Sequence, residues 1–94
     1  MIDAPHIRKR IAEADIETGR MYLGRMVRRH VRGLIRRHAD RFDIRGFADG
    51  FVGERHRQWE ASIRQDAQGR LQRVANAVTV EQLLIVFDAI ADEL

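Results

Sequence analysis

The sequence predicts an all-α fold, a small bundle of about four helices. Hydrophobic residues recur every three or four positions along most of the chain, which is the period of an amphipathic helix. Alternating runs of β-branched residues and the glycine-containing pairs typical of tight hairpins are nearly absent. Because 94 residues suffice for a single modest core, we expect one helical domain spanning residues 1–94.

The first predicted helix spans residues 4–17. Asp3 is a good N-cap residue, and Pro5 follows at an early helical position, where a missing N–H is tolerated. Thr18 and Gly19 predict the end of this helix. The alternative is one continuous helix through the next segment, since an internal glycine costs only about 1 kcal/mol.

The second predicted helix, residues 20–39, has the clearest amphipathic pattern. Leu23, Val27 and Val31 share its apolar face. The opposite side, called the arginine face below, is formed by Arg25, Arg28, Arg29, Arg32 and Arg36. Like charges four residues apart repel one another by a few tenths of a kcal/mol. No acidic residue interrupts this segment, so we expect an acidic element or a binding partner to compensate the arginines.

The third predicted helix spans residues 43–68, with Gly69 as its end, and residues 71–78 are either a short helical segment or a connector. Three glycines fall together on one side of it, namely Gly46, Gly50 and Gly53. Small residues let another backbone come close. This side is therefore a candidate surface for self-association or for binding a partner.

The last predicted helix begins at a capping box. Thr79 is its N-cap and Gln82 lies at the third helical position, so that each side chain can bond the other's backbone N–H. Its outward side carries Glu81, Asp88 and Asp92, and Ile85 lies among these acids. Nothing in the monomer needs to cover Ile85, which makes it a second candidate for a partner or oligomer contact.

Catalytic and metal-binding patterns are missing from the sequence. There is no cysteine, so disulfides, thiolate metal sites and a cysteine nucleophile are excluded. The four histidines do not have the spacing of metal ligands, and no glycine-rich phosphate loop is present. We therefore expect a protein that is not an enzyme and that uses no metal or cofactor.

The charge distribution predicts an anionic partner. All 17 basic residues lie between Arg8 and Arg73, whereas the charged residues after Arg73 are all acidic. Lys9 is the only lysine. The excess of arginine has two explanations that stay open: a GC-rich bacterial or phage genome, or selection for bidentate contacts to phosphate or carboxylate. Arg8, Lys9 and Arg10 would extend the arginine face if the first helix folded back beside the second.

Nucleic acid is the leading predicted partner. The arginine face lacks the small polar side chains that read base edges, so we expect backbone contacts with weak sequence preference. The alternative is a protein-interaction module, such as an adaptor, inhibitor or assembly factor, whose arginines meet an acidic protein surface. In a third interpretation the arginine face binds no partner. It is then either solvated or neutralised by the acidic residues of the last helix.

The remaining expectations concern location and assembly. No secretory signal follows Met1, and no apolar run approaches the roughly 20 residues that a membrane span needs. We therefore expect a cytoplasmic protein that does not bind membranes. A homo-oligomer is expected because so short a chain buries a modest core. The side chains expected to be exposed for such contacts are Tyr22, Met26, Ile85 and Val86.

Overall fold

A computed structural model of the chain describes residues 2–41 and 51–94, and these form four packed α-helices with no strand among them. The helices are α1 (Ala4–Glu13), α2 (Ile16–Arg41), α3 (Phe51–Asn76) and α4 (Val80–Ile90), and a 3-10 turn (Ala91–Glu93) follows. The predicted all-α bundle of about four helices is confirmed. The predicted start of the third helix at Asp43 lies outside the described residues.

The junction between α1 and α2 differs from the prediction. The carboxylate of Asp15 accepts hydrogen bonds from the backbone N–H of Thr18 at 2.8 Å and from its hydroxyl at 3.1 Å. These bonds lower the pKa of Asp15, the backbone N–H of Thr18 contributing most. Asp15 thereby caps α2, and α1 has already ended at Glu13. The predicted end at Thr18 and Gly19 is wrong, and so is the alternative of one continuous helix.

Gly19 lies inside α2, where it allows α4 to approach closely. A Cβ atom at this position would lie 2.7 Å from Cδ2 of Leu83, a separation that real Cβ atoms do not show. Both Gly19 and Leu83 are buried. The glycine that resembled a helix end is therefore a contact point between two helices.

The helices α2 and α3 form a long antiparallel pair. The ring of His38 contacts that of His56 near one end, and Gly24 lies close to Leu71 near the other. Each helix has 26 residues, which corresponds to about 39 Å at a rise of about 1.5 Å per residue. The resulting molecule is elongated, with extents of 48 × 24 × 18 Å.

Gly69 does not end α3. Residues 71–76 are helical, but they continue α3 and form neither a separate segment nor a connector. Gly69 is exposed. Apart from its chain neighbours and the backbone of its own helix, no heavy atom lies within 4 Å of a Cβ built on it. Ala67 and Val74 are buried on either side of it, and Leu71 packs against the same core. Burial of this stripe outweighs the cost of about 1 kcal/mol for a helical glycine.

The core lies where α1 and α4 cover the start of α2 and the end of α3. Its most completely buried large side chains are Phe87, Ile11, Leu23, Leu83 and Val27. The predicted caps of α1 and α4 are confirmed, since Asp3 accepts from the backbone of His6 and Thr79 forms the capping box. No helix among the described residues has the length and apolarity needed to cross a bilayer.

Candidate nucleic-acid interface

The arginine face lies on the outer side of α2, away from the core. All five of its residues are exposed, whereas Leu23, Val27 and Val31 on the opposite side are buried. Within residues 2–41 and 51–94, no ion pair joins any of these five guanidinium groups to an acidic side chain. The structure therefore leaves a row of positive charges facing solvent.

Acids at the end of the chain pair with other elements. Asp88 on α4 accepts from Nε of Arg8 on α1 at 3.1 Å and from Nη2 of the same residue at 3.3 Å. Glu93 forms an ion pair with Arg70 on α3. Among the described residues, α4 therefore does not supply the compensation that the arginine face lacks.

The predicted extension along α1 is only partly available. Arg8 forms an ion pair with Asp88, and Lys9 is exposed. The guanidinium carbon of Arg10 lies 4.8 Å from the centre of the Tyr22 ring on α2, which is a cation–π contact. Arg10 is thus the member of this group that the structure places directly against α2.

The α3 helix adds side chains that sequence reasoning did not assign to the site. Arg28 and Arg32 border a groove of about 260 Å³ between α2 and α3, with Arg64 and Gln68 on its other side. Arg64 donates to Glu60 at 2.8 Å, yet its side chain stays 60% exposed. It was missed because it lies among acids in the chain and reaches the arginine face only through the antiparallel pairing.

The length of the arginine face suits a polyanion. Arg25 and Arg36 are separated by about 16 Å along the helix axis, at about 1.5 Å per residue. Duplex DNA carries about one phosphate charge per 1.7 Å of its axis. Several phosphates of one duplex therefore fall within reach of these arginines at the same time.

Two further surfaces were predicted to bind a partner, the glycine side of the third helix and the region of Ile85. Gly46 and Gly50 lie outside the described residues, and Gly53 is buried in the first turn of α3. Ile85 is 69% exposed on the outer side of α4, and Val78 and Met21 are the other large exposed apolar side chains described. Met21 lies beside the arginine face, one helical turn before Arg25. Tyr22, Met26 and Val86, which were expected to be exposed, are partly buried against the core.

Three aromatic rings join α2 to α3 near one end of the pair. The Nδ1 atoms of His38 and His56 are 2.6 Å apart, and His38 stacks on Trp59 with ring centres separated by 4.1 Å. Burial, followed by the charges of His56 and Arg41, lowers the pKa of His38. The short Nδ1 contact requires one ring to donate and the other to accept, so at least one ring is neutral.

An acidic residue of α3 lies next to this cluster. His56 directs its other ring nitrogen towards Glu60, at 3.7 Å. No group of three or more histidines and acids with the geometry of a metal site occurs in the described part of the chain. Sequence reasoning placed His38 at the border of the apolar face but had no means of predicting its partners, because they come from another helix.

Comparison of the chain with protein families, with curated proteins and with solved structures gave no significant match.

Proposed function

We propose that this protein is a non-enzymatic binding protein whose arginine face holds the phosphate backbone of nucleic acid with weak sequence preference. The observation that carries the proposal is the row of five exposed arginines without an acidic partner among the described residues. Each neutralised phosphate releases counterions, which favours binding at low salt. A cytoplasmic location, as the composition predicts, gives access to such a partner.

The chemistry of the arginine face favours phosphate over an acidic protein surface. Stable protein interfaces centre on apolar or aromatic anchors that become fully buried. The only large exposed apolar side chain described near this face is Met21, which precedes Arg25 by one helical turn. A row of cations without a central anchor suits a regularly charged backbone better than a shaped protein surface.

Fluorescence anisotropy of a short labelled DNA duplex, and of single-stranded RNA, measured across a salt series tests the proposal. We expect binding that weakens steeply with salt, with a log–log slope of about −0.9 per phosphate contact on duplex DNA. The variant R28E/R32E should lose binding and keep its helical circular dichroism, since both residues are exposed. A folded double variant that binds as well as the wild type would refute the proposal.

A matched pair of single variants separates the site from overall charge. R32E reverses a charge in the middle of the arginine face. R73E reverses a charge on the far side of α3, beside Ile90 and Val86 of α4. Binding should weaken clearly for R32E and little for R73E. Equal losses would mean that net charge, and not this face, drives binding.

A protein-interaction module is the second candidate, and the exposure of Ile85 favours it. An isoleucine that is 69% exposed beside Glu81 and Asp88 offers an apolar centre with an acidic rim, opposite in sign to the arginine face. A second copy of the chain would suit both surfaces. If two copies bind each other in this way, analytical ultracentrifugation should show an oligomer that I85E disrupts and that high salt weakens. A protein that is monomeric at all concentrations would contradict this candidate.

A further inference from the structure

A second concave surface lies on the flank of α2, apart from the groove beside α3. It is a cleft of about 630 Å³ whose walls include Ile7 of α1 and Tyr22, Met26, Arg29, His30 and Arg37 of α2. Clefts that bind small molecules commonly have volumes of about 300–1,000 Å³. The cleft is therefore large enough for a small ligand.

The lining of the cleft is divided by polarity. Ile7, Tyr22 and Met26 supply an apolar surface, and Arg29 and Arg37 supply two positive charges at its side. No acidic side chain lines the cleft within the described part of the chain. Such a surface complements a ligand that has an apolar body and a negative head group.

The absence of a side chain at Gly33 lets the guanidinium group of Arg37 lie against α2 beside the cleft. A Cβ atom built on Gly33 would lie only 3.1 Å from Nη1 of Arg37 and 3.7 Å from its Cζ. The guanidinium group therefore folds back against the helix at Gly33. No ion pair joins Arg37 to an acidic residue among those described, so its two parallel N–H donors stay available to a carboxylate.

His30 adds a polar group to the same wall. Burial, followed by the charges of Arg37 and Arg70, lowers its pKa, while Glu93 acts in the opposite direction. Glu93 is itself paired with Arg70. His30 is therefore neutral near neutral pH and can donate or accept one hydrogen bond without adding a third charge.

We propose that this cleft binds a small amphiphilic carboxylate, with the aliphatic or aromatic body against Tyr22 and Met26 and the carboxylate on Arg37. Arg29 also lines the cleft and adds attraction for the same head group. This site shares Arg29 with the arginine face, but Arg37, on which the carboxylate lies, does not belong to that face. Its test needs no nucleic acid.

Isothermal titration calorimetry of octanoate into the protein, with 1-octanol as the neutral ligand of equal chain length, tests the proposal. We expect saturable binding of octanoate and binding of 1-octanol that is weaker by about tenfold, the effect of about 1.4 kcal/mol. Absence of octanoate binding at millimolar concentration would overturn the proposal. Equal affinity for the two ligands would also overturn it, because the cations would then have no role.

Two neighbouring substitutions locate the site. R37Q removes the charge that lies beside the cleft, whereas R36Q removes a charge from the arginine face one residue earlier on α2. Both side chains are exposed, so neither variant should unfold. Octanoate affinity should fall by about tenfold for R37Q, which corresponds to about 1.4 kcal/mol, and stay unchanged for R36Q. Equal effects of the two substitutions would refute the assignment of the carboxylate to Arg37.

Discussion

Two glycine-to-alanine substitutions offer a direct test of how the helices pack. Gly19 and Gly69 are both helical, but they differ in what lies beside them. A Cβ atom at Gly19 would meet Cδ2 of Leu83 at 2.7 Å, whereas one at Gly69 would meet nothing within 4 Å. We predict that Gly69→Ala stabilises the protein and that Gly19→Ala destabilises it relative to that variant.

The magnitude follows from two opposing effects. Alanine in place of a helical glycine gains up to about 1 kcal/mol, and this gain is the only effect expected at Gly69. At Gly19 the new methyl group must displace Cδ2 of Leu83, whose side chain is fully buried. Overpacking of this kind costs about 1–3 kcal/mol. The two variants should therefore differ in free energy of unfolding by at least about 1 kcal/mol.

Urea and thermal unfolding followed by circular dichroism measure this difference. For a domain of this size, 1 kcal/mol corresponds to about 4–8 °C in Tm. Gly69→Ala should melt above the wild type, and Gly19→Ala should melt below Gly69→Ala by at least that interval. If the two variants were equally stable, the close approach of α2 and α4 at Gly19 would be wrong.

Three further predictions concern a cap, a pH dependence and an ion pair. Thr79→Ala removes the capping box and should cost about 1 kcal/mol, whereas Thr79→Ser should retain most of the stability in the same unfolding assay. The pKa of His38 is lowered on folding, so its contribution to stability is complete above pH 6.5 and is lost as the pH falls through its folded-state pKa. In the His38→Gln variant, the free energy of unfolding measured in urea should therefore fall less steeply as the pH drops below 6.5. The same fall as in the wild type would contradict this. Asp88→Asn breaks an ion pair with Arg8 in which both side chains are about half exposed, so a loss of no more than about 1 kcal/mol is expected, and a double-mutant cycle with Arg8→Gln measures it.

Much of the local structure could be predicted from the sequence because its causes lie within a few residues. Asp3 with Pro5, and Thr79 with Gln82, cap helices through bonds to their immediate neighbours. The periodicity of α2 likewise determined which side is buried and which side carries the arginines. The predicted positions of Arg25, Arg28, Arg29, Arg32 and Arg36 on one exposed surface agree with the structure.

The tertiary structure decided what the sequence left ambiguous. A glycine ends a helix or lets another helix approach according to what lies across from it, and at Gly19 the neighbour is Leu83, more than sixty residues away. The partners of the acidic side chains also depend on tertiary structure. Asp88 pairs with Arg8 and Glu93 pairs with Arg70, because the end of the chain packs against α1 and α3 and not against the arginine face. Periodicity along one helix assigns a residue to a side of that helix, but only packing between helices assigns it a partner.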